Sequence, residues 1–261
     1  MIFGQIAAGV GIIAAAYVAF YKQGFKFEVS TLVKVSFLVL ISFLLGLFSW
    51  FMPILGFPAV KIGFEQVPLL IIGFLYGPSW AFLGGFSSDL ISLMSGTITT
   101  PFFGFTLNKI LVAMIPALLI RYKKKASLTE IIALVSAISL GAMAYIFTRD
   151  TVKISDALIP VDSMSKVLVS IGILVLSGLL IFSIYKITKK EVNDQTYLWV
   201  LSALLVEVCV NMTLTPIWLY SMYGLPISIS IMVRLIKTVI MVPLVTFIGL
   251  VSLKVLSKVK A

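Results

Sequence analysis

The chain has 261 residues, of which 61% are hydrophobic and only 11% are charged, and its formal net charge is +10. Soluble domains are about half apolar and about a quarter charged, so this composition indicates a membrane protein. The sequence has no histidine and a single cysteine, Cys209, which excludes a disulfide framework and most zinc chemistry. It also lacks a glycine-rich loop ending in Gly-Lys-Ser or Gly-Lys-Thr, which excludes ATP binding by a P-loop. We therefore expect no cofactor and no metal.

Nine apolar stretches follow one another along the chain, most of them about as long as a bilayer-spanning helix. The third is short, so it is either tilted or continuous with the loop before it. The first lacks the positively charged start of a signal peptide, so we keep it as a helix. These stretches predict an all-α integral membrane protein, a polytopic helical bundle forming one transmembrane domain over 1–261. The predicted helices are 3–21, 31–51, 64–77, 79–95, 103–121, 128–148, 166–187, 196–220 and 227–253.

Lysine and arginine are unequally distributed between the two ends of these helices. Alternate loops and helix ends carry 13 cations on one side and 4 on the other. The cation-rich side is predicted to be cytoplasmic, which places the N-terminus outside and the C-terminus inside. Because the charge lies in short clusters at helix ends, it indicates membrane anchoring rather than nucleic-acid binding. The first group is Lys22, Lys26, Lys34, Arg121, Lys123, Lys124, Lys125, Lys186, Lys189, Lys190, Lys254, Lys258 and Lys260; the second is Lys61, Arg149, Lys153 and Lys166.

Two cations, Arg234 and Lys237, interrupt the last apolar stretch. Residues three apart share a helix face, so both are expected to point the same way. A charge at membrane depth costs about 2.5–3.5 kcal/mol on insertion scales unless the protein or a ligand receives it. At 1.5 Å per residue, Arg234 lies about 10 Å below the outer end of its helix. The other ionisable or amide residues expected in the middle and outer parts of the bundle are Glu65, Asp89, Lys109, Glu207 and Asn211.

Three predicted outer loops mix turn-forming residues with aromatic ones. They are 51–63 with Pro53, Gly56 and Pro58, 95–104 with Pro101 and two phenylalanines, and 220–228 with two tyrosines and Pro226. Loops of this composition differ from solvated linkers. We expect them to fold over the mouth of a cavity.

Three strings of residues form a recognisable pattern. The first is 61–68 (KIGFEQVP), followed by 73–78 (GFLYGP) and 84–89 (GGFSSD), and the second is 101–107 (PFFGFTL). The third runs from Asn211 through Trp218-Leu219, Tyr223-Gly224 and 234–237 (RLIK) to Pro243. In order and spacing, the three strings resemble the substrate-binding S components of energy-coupling factor (ECF) vitamin transporters, most closely the folate family.

The resemblance implies a six-helix core formed by 31–121 and 196–258. Segment 3–21 is then an extra N-terminal helix, and 127–190 an inserted helical hairpin. Such proteins bind a vitamin from outside the bacterial plasma membrane and associate with a transmembrane coupling subunit and two ATPase subunits. The resemblance therefore implies vitamin uptake, with folate as the best guess.

Two features depart from the family pattern. Thr215-Pro216 stands where the folate family usually has Asn-Thr before the Trp-Leu pair. The small-residue pattern used to dock the coupling subunit is incomplete: Ser36 is followed by Leu40, and Ser42 with Gly46 offers a shifted small-residue face.

The candidate ligand contacts each have a structural alternative. Arg234 and Lys237 could clamp a carboxylate, since guanidinium and carboxylate form a fork of two hydrogen bonds, or pair with Glu207 or Asp89. Lys109, close to Thr106, could add a positive contact or extend toward the interface. Asp89 and Glu65 could bond the amino groups of a pterin-like ring, or they could pair with Lys109 or cap helices. Asn211 could contact the ligand or form an interhelical hydrogen bond. The aromatic candidates could stack on a flat ring or form an interfacial belt; they are Trp218, Phe103 and Tyr223, with Phe102 and Tyr220.

Three kinds of function remain open at this point. The first is an S component for folate or for another vitamin or cofactor precursor, such as thiamin, riboflavin, pantothenate or a queuosine-type precursor. The second is a stand-alone ion-coupled transporter, or a plain scaffold. The third is a membrane-embedded enzyme, which the lack of histidine and of a convincing carboxylate pair disfavours. We therefore expect a protein that is not an enzyme and has no nucleic-acid partner.

Overall fold

The computed structural model describes residues 1–21, 25–54, 57–96, 101–123, 125–148, 151–154, 157–160, 162–189 and 194–259. Within these ranges nine helices follow one another, and seven of them are long and apolar enough to cross a membrane. They are α1 (Ile2–Phe20), α2 (Val29–Leu47), α3 (Gln66–Tyr76), α4 (Pro78–Met94), α5 (Phe103–Tyr122), α6 (Leu128–Phe147), α7 (Ser163–Thr188), one continuous helix made of α8 (Asp194–Leu205), a π-helical segment (Val206–Leu214) and α9 (Thr215–Tyr223), and α10 (Ile227–Val259).

The predicted fold class, a polytopic helical membrane protein, is confirmed. All nine predicted stretches are helices, and the third is short, with 11 residues in α3. The division into a core, an extra helix and an inserted hairpin stays a prediction, as does the orientation in the membrane. Several residues used for these predictions lie outside the described residues: Lys22, Gly56, Lys124, Arg149, Lys190, Lys260 and the loop residues 97–100.

Two short antiparallel β-hairpins connect helices for which sequence analysis had predicted connecting loops. The first pairs β1 (Trp50–Ile54) with β2 (Phe57–Ile62), and the second pairs β3 (Thr151–Ile154) with β4 (Ala157–Pro160). The predicted helix 31–51 therefore ends earlier, at Leu47. Proline disfavours a helix interior and β-branched residues favour strands, so Pro53, Pro58, Val60 and Ile62 together explain the first hairpin. We call the end of the bundle that carries it the hairpin end.

Contacts at both ends show how α1 lies along the bundle. The Ser79 hydroxyl, at the start of α4, donates to the carbonyl of Ala19 (2.8 Å). Gln5, near the other end of α1, donates to the carbonyl of Pro101 (3.3 Å), just before α5. Helix α1 therefore packs along α4 and α5 and runs antiparallel to α4.

Close approach of α3, α4 and α5 depends on glycine. A Cβ built on Gly73 would overlap the carbonyl oxygen of Ala113, and one on Gly85 would lie 2.6 Å from Cα of Ile110. Only residues without a side chain allow helix backbones to approach this closely. On the other side of the bundle, α6 and α7 pack together through a hydrogen bond between Ser139 and Ser177 (2.5 Å).

The small-residue face of α2 lies inside the protein. Ser42 is buried, and its hydroxyl donates to the carbonyl of Glu65 (2.7 Å). A Cβ built on Gly46 would lie 2.7 Å from the carboxylate of Glu65. Ser42 and Gly46 thus pack α2 against the start of α3, whereas the sequence had suggested that they form a face for docking a partner subunit.

Candidate functional site

Polar and charged side chains gather in three groups inside the apolar bundle. We name them after their largest members. The Arg234 cluster contains Gln66, Glu207 and Arg234; the Lys109 cluster contains Ser88, Asp89, Ser92, Thr106 and Lys109; the Trp218 cluster contains Asn108, Thr215 and Trp218.

The Arg234 cluster joins α3, the π-helical segment and α10. Arg234 is only 3% exposed and Glu207 only 1%. The charge of Glu207 attracts the guanidinium of Arg234, and the amide of Gln66 donates to Oε1 of Glu207 (3.1 Å). Buried charges need such compensation, because an isolated ion in an apolar interior is very costly. Arg234 therefore lies in the interior, as expected. Glu207, which was named as an alternative partner to a ligand, belongs to the same cluster.

Two other sequence candidates lie on the elements that carry Arg234 and Glu207. Lys237 is half-buried on α10, three residues after Arg234, and Asn211 is half-buried in the π-helical segment. Arg234, Lys237 and Glu207 together are two cations and one anion, which leaves a net formal charge of one positive. Sequence analysis did not propose Gln66, although its place in the family-like string 61–68 was a usable signal.

Glu207 lies in the π-helical segment, whose C-cap residue is Thr215. The Thr215 N–H bonds to the carbonyl of Val210, five residues back, and the Thr215 hydroxyl bonds to the same oxygen (2.9 Å). Pro216 has no N–H to continue the α-helical pattern, which explains why the wider turn ends here. Such insertions often occur at functional sites. The Thr215-Pro216 pair, noted as a departure from the family pattern, was the signal for it.

The Lys109 cluster is an ion pair between α4 and α5. Lys109 Nζ lies 3.4 Å from Oδ1 of Asp89, and it donates to the Ser92 hydroxyl (2.8 Å) and the Ser88 carbonyl (3.3 Å). Thr106 donates to the second oxygen of Asp89 (2.7 Å). Sequence analysis left open whether Asp89 contacts a ligand or pairs with Lys109, and the structure shows the pairing with Lys109. A cavity of about 300 Å³ lies beside Asp89 and Thr106, and its other walls are apolar side chains of α1, α4 and α5.

Glu65 also forms an ion pair with a lysine. Its carboxylate lies 2.5 Å from Nζ of Lys61, at the base of the first hairpin. The charges of Lys61 and Glu65 both act on Lys109, so this pair lies near the Lys109 cluster. Neither Asp89 nor Glu65 therefore presents a carboxylate without a cationic partner.

The Trp218 cluster ties α5 to α9. The Trp218 indole donates to Oδ1 of Asn108 (3.1 Å), and the Asn108 amide donates to the Thr215 hydroxyl (3.0 Å). Phe102 packs on Trp218 with ring centroids 5.8 Å apart. The expected set of stacking aromatics is thus divided between two environments. Phe102 and Trp218 are buried, whereas Phe103, Tyr220 and Tyr223 are exposed.

The first hairpin covers the interior at its own end of the bundle. Val60 of β2 is buried against Leu219 of α9 and Leu225, with Ile229 and Val233 of α10 alongside. Val233 immediately precedes Arg234 on α10, so the Arg234 cluster lies next to this apolar layer at the hairpin end of the bundle. The expectation that the loop 51–63 folds over the interior agrees with this packing.

The fold and these buried charges define a class, a multi-pass membrane protein with a polar interior. Residues 30–155 match the family described as ECF transporter, substrate-specific component. The chain is 30% identical over 110 residues to the folate transporter FolT of Clostridium novyi (strain NT). That alignment covers 41% of this chain and 63% of FolT, so the chain spans less than two thirds of the length of this relative. The resemblance to an ECF substrate-specific component and to the folate family is confirmed, and the matched residues include the first two of the three strings.

Proposed function

We propose that this protein captures a vitamin, with folate as the best guess, as the membrane-embedded substrate-specificity subunit of an ECF-type ABC transporter. It works in the bacterial plasma membrane with its N-terminus outside and its C-terminus in the cytoplasm. A transmembrane coupling subunit and two ATPase subunits supply the energy. The matched family, a class of transport components rather than of enzymes, and the similarity to FolT support this proposal.

The observation that carries the proposal is the burial of Arg234 at the hairpin end of the bundle. A buried guanidinium offers a planar fork of donors that fits a carboxylate. Lys237 adds a second cation on the same helix, so the region favours an anion over a neutral molecule. Folate carries two carboxylates at one end and a flat ring at the other, and Arg234 with Lys237 is placed to hold the acidic end. Asn211, four residues after Glu207 in the π-helical segment, is a candidate for a neutral polar contact.

The test compares Arg234 variants for folate binding in detergent. Arg234→Lys keeps a positive charge opposite Glu207 but loses the fork, and Arg234→Ala loses both. Truncating one member of a buried hydrogen-bonded charge pair costs about 2–5 kcal/mol, which is at least about 30-fold in affinity. We expect that loss for Arg234→Ala, a smaller one for Arg234→Lys, and none for Arg121→Ala at the other end of the bundle. Full affinity in a folded Arg234→Ala protein contradicts the clamp.

Two further measurements separate the alternatives. Mass spectrometry of the small molecule that co-purifies with the protein identifies the vitamin directly. Uptake into vesicles with and without the ATPase subunits distinguishes an ECF subunit from a stand-alone ion-coupled transporter. Uptake that does not depend on the ATPases contradicts the proposed energy source.

A further inference from the structure

Helix α1 precedes the residues 30–155 that match the family, yet one of its side chains reaches the start of α5. The amide of Gln5 bonds the backbone on both sides of Phe102. Its Nε2 donates to the carbonyl of Pro101 (3.3 Å), and its Oε1 accepts the N–H of Phe103 (2.9 Å). Gln5 therefore holds the residues that lead into α5 at two points.

The start of α5 benefits from such a partner, because it has no cap of its own. The first four N–H groups of an α-helix lack partners within the helix. A serine, threonine, aspartate or asparagine just before the helix usually accepts from one of them. Phe102 stands at that position, and its side chain makes no capping hydrogen bond. Gln5 thus supplies, from another helix, an acceptor that Phe102 lacks.

Phe102 connects this cap to α9. Its side chain is buried and packs on Trp218, with ring centroids 5.8 Å apart. Gly104 makes the contact possible, since a Cβ there would overlap the Phe102 ring and lie 2.7 Å from the Trp218 indole. The indole in turn donates to Asn108, whose amide donates to Thr215. Phe102 is therefore held by α1 on one side and contacts the Trp218 cluster on the other.

The first turn of α1 also lies close to α9. A Cβ built on Gly4 would lie 2.6 Å from the hydroxyl of Ser221 and 3.2 Å from the Phe102 ring. Three alanines further along α1 are buried in the core of the bundle: Ala8, Ala15 and Ala19. The start of α1 is thus seated between the start of α5 and the end of α9.

Helix α9 is held at two places at the hairpin end of the bundle. Leu219 packs on Val60 of the first hairpin, and the neighbouring Trp218 packs on Phe102. Arg234 lies at the same end. A ligand that reaches Arg234 from this end therefore has to displace part of these contacts.

We infer that Gln5 is a positioning residue for ligand binding, which keeps Phe102 on Trp218 and thereby lets α1 restrain α9 over the interior. This role rests on the proposed function. It gives a task to α1, the helix that precedes the matched residues. Weaker contacts at Phe102 should let a ligand enter and leave faster.

Stopped-flow measurement of folate binding tests this role. Gln5→Met keeps the length of the side chain and removes both hydrogen bonds. Two hydrogen bonds of ordinary strength correspond to about 5- to 100-fold in an equilibrium. We expect the association and dissociation rates to rise together within that range. Their ratio, Kd, should stay nearly constant, because the same contacts close over the free and the occupied site. Gln5→Glu keeps an acceptor for the Phe103 N–H and loses the donor, so it should give a smaller rise.

A matched control separates this role from a loss of stability. Ile6→Met changes the next residue of α1, which is exposed, and should bind folate at wild-type rates. Loss of folded protein lowers the amount of folate bound but cannot speed up association. A Gln5→Met protein that binds less folate at an unchanged association rate therefore overturns the inference.

Hydrogen–deuterium exchange of the ligand-free protein separates the inference from the choice of folate. In Gln5→Met we expect faster exchange in the first turn of α5 and also in α9, whereas loss of a purely local cap would affect α5 alone. Exchange in α9 at the wild-type rate overturns the inference. A wild-type protein that binds no folate contradicts the proposed vitamin, and the exchange in α9 then decides the role of Gln5 by itself.

Discussion

Removing Asp89 should destabilise the protein unless Lys109 is removed with it. In Asp89→Asn the ammonium of Lys109 loses its anion while staying in an apolar interior. Lys109→Met leaves the opposite charge alone. The double variant Asp89→Asn with Lys109→Met removes both charges and keeps side chains of similar size. Comparing the four proteins measures how strongly the two residues depend on each other.

The magnitude follows from the geometry of the pair. Nζ and Oδ1 lie 3.4 Å apart, and the two side chains are 16% and 3% exposed. At an effective dielectric constant of about 20, the Coulomb attraction at that distance is about 5 kcal/mol. Desolvation offsets part of it, and breaking one member of a buried pair typically costs about 3–5 kcal/mol, whereas replacing both members is often close to neutral. We expect each single variant to lose about 3–5 kcal/mol and the double variant to lie within about 1 kcal/mol of wild type.

The assay is reversible unfolding in mixed micelles by titration with denaturing detergent, followed by circular dichroism. Lys123→Met is the control, because it removes a cation from the Lys123–Glu130 pair (2.8 Å), whose side chains are 36% and 42% exposed, and such pairs contribute little. Single-variant losses that simply add in the double variant refute the structural pair. A folded Asp89→Asn protein with wild-type stability and no folate binding refutes it too, and makes Asp89 a ligand contact.

Two further predictions concern the framework. Gly73→Ala should destabilise the protein by about 1–3 kcal/mol, because its Cβ would overlap the Ala113 carbonyl. Gly178→Ala is the control: its Cβ would enter open space, so the stability should be unchanged or rise by about 0.5–1 kcal/mol. Equal melting temperatures for the two variants would contradict this prediction. Asp162 caps α7 by accepting from the Ser165 N–H (3.2 Å), and these hydrogen bonds with Ser165 lower the pKa of Asp162. Its stabilising effect is therefore present above the unfolded pKa of about 4 and lost as pH falls through the lower folded value. The protection factor against hydrogen exchange in the first turn of α7, which corrects for the intrinsic pH dependence of exchange, should fall in acid for wild type. It should stay constant between the same two pH values for Asp162→Asn, which keeps a capping oxygen.

The helices could be predicted from the sequence because a bilayer demands long apolar stretches, which few other structures produce. The hairpin β1–β2 could not, since five- and six-residue strands with prolines give the same local pattern as an irregular loop. The π-helical segment was missed because hydrophobicity does not distinguish a π turn from an α turn. Only the Thr215-Pro216 pair indicated it, through the missing proline N–H.

For the candidate site, the sequence predicted which residues are buried but not which of them meet. Counting along a helix gives depth, and it placed Arg234, Lys109 and Asp89 inside the bundle. The pairing depends on how each helix is rotated about its axis and on which helices are neighbours, and neither follows from one sequence. Trp218 illustrates this limit: the sequence left open whether it stacks on a flat ring or lies in an interfacial belt, whereas α9 turns the indole inward to Asn108.

The pairing changes the electrostatics of the site. From the sequence, Arg234, Lys237 and Lys109 could act together as three cations on one anion. In the structure Asp89 cancels the charge of Lys109 at 3.4 Å, so an anion gains little from that cluster. Glu207 is the acidic residue that the structure places in the Arg234 cluster. Lys237, three residues further along α10, adds a cation, so the formal charges of Arg234, Lys237 and Glu207 sum to one positive charge. Since attraction in an apolar interior grows with net charge rather than with the number of cations, the acidic end of a ligand should settle at Arg234 and Lys237, and the Lys109 cluster should hold α4 to α5.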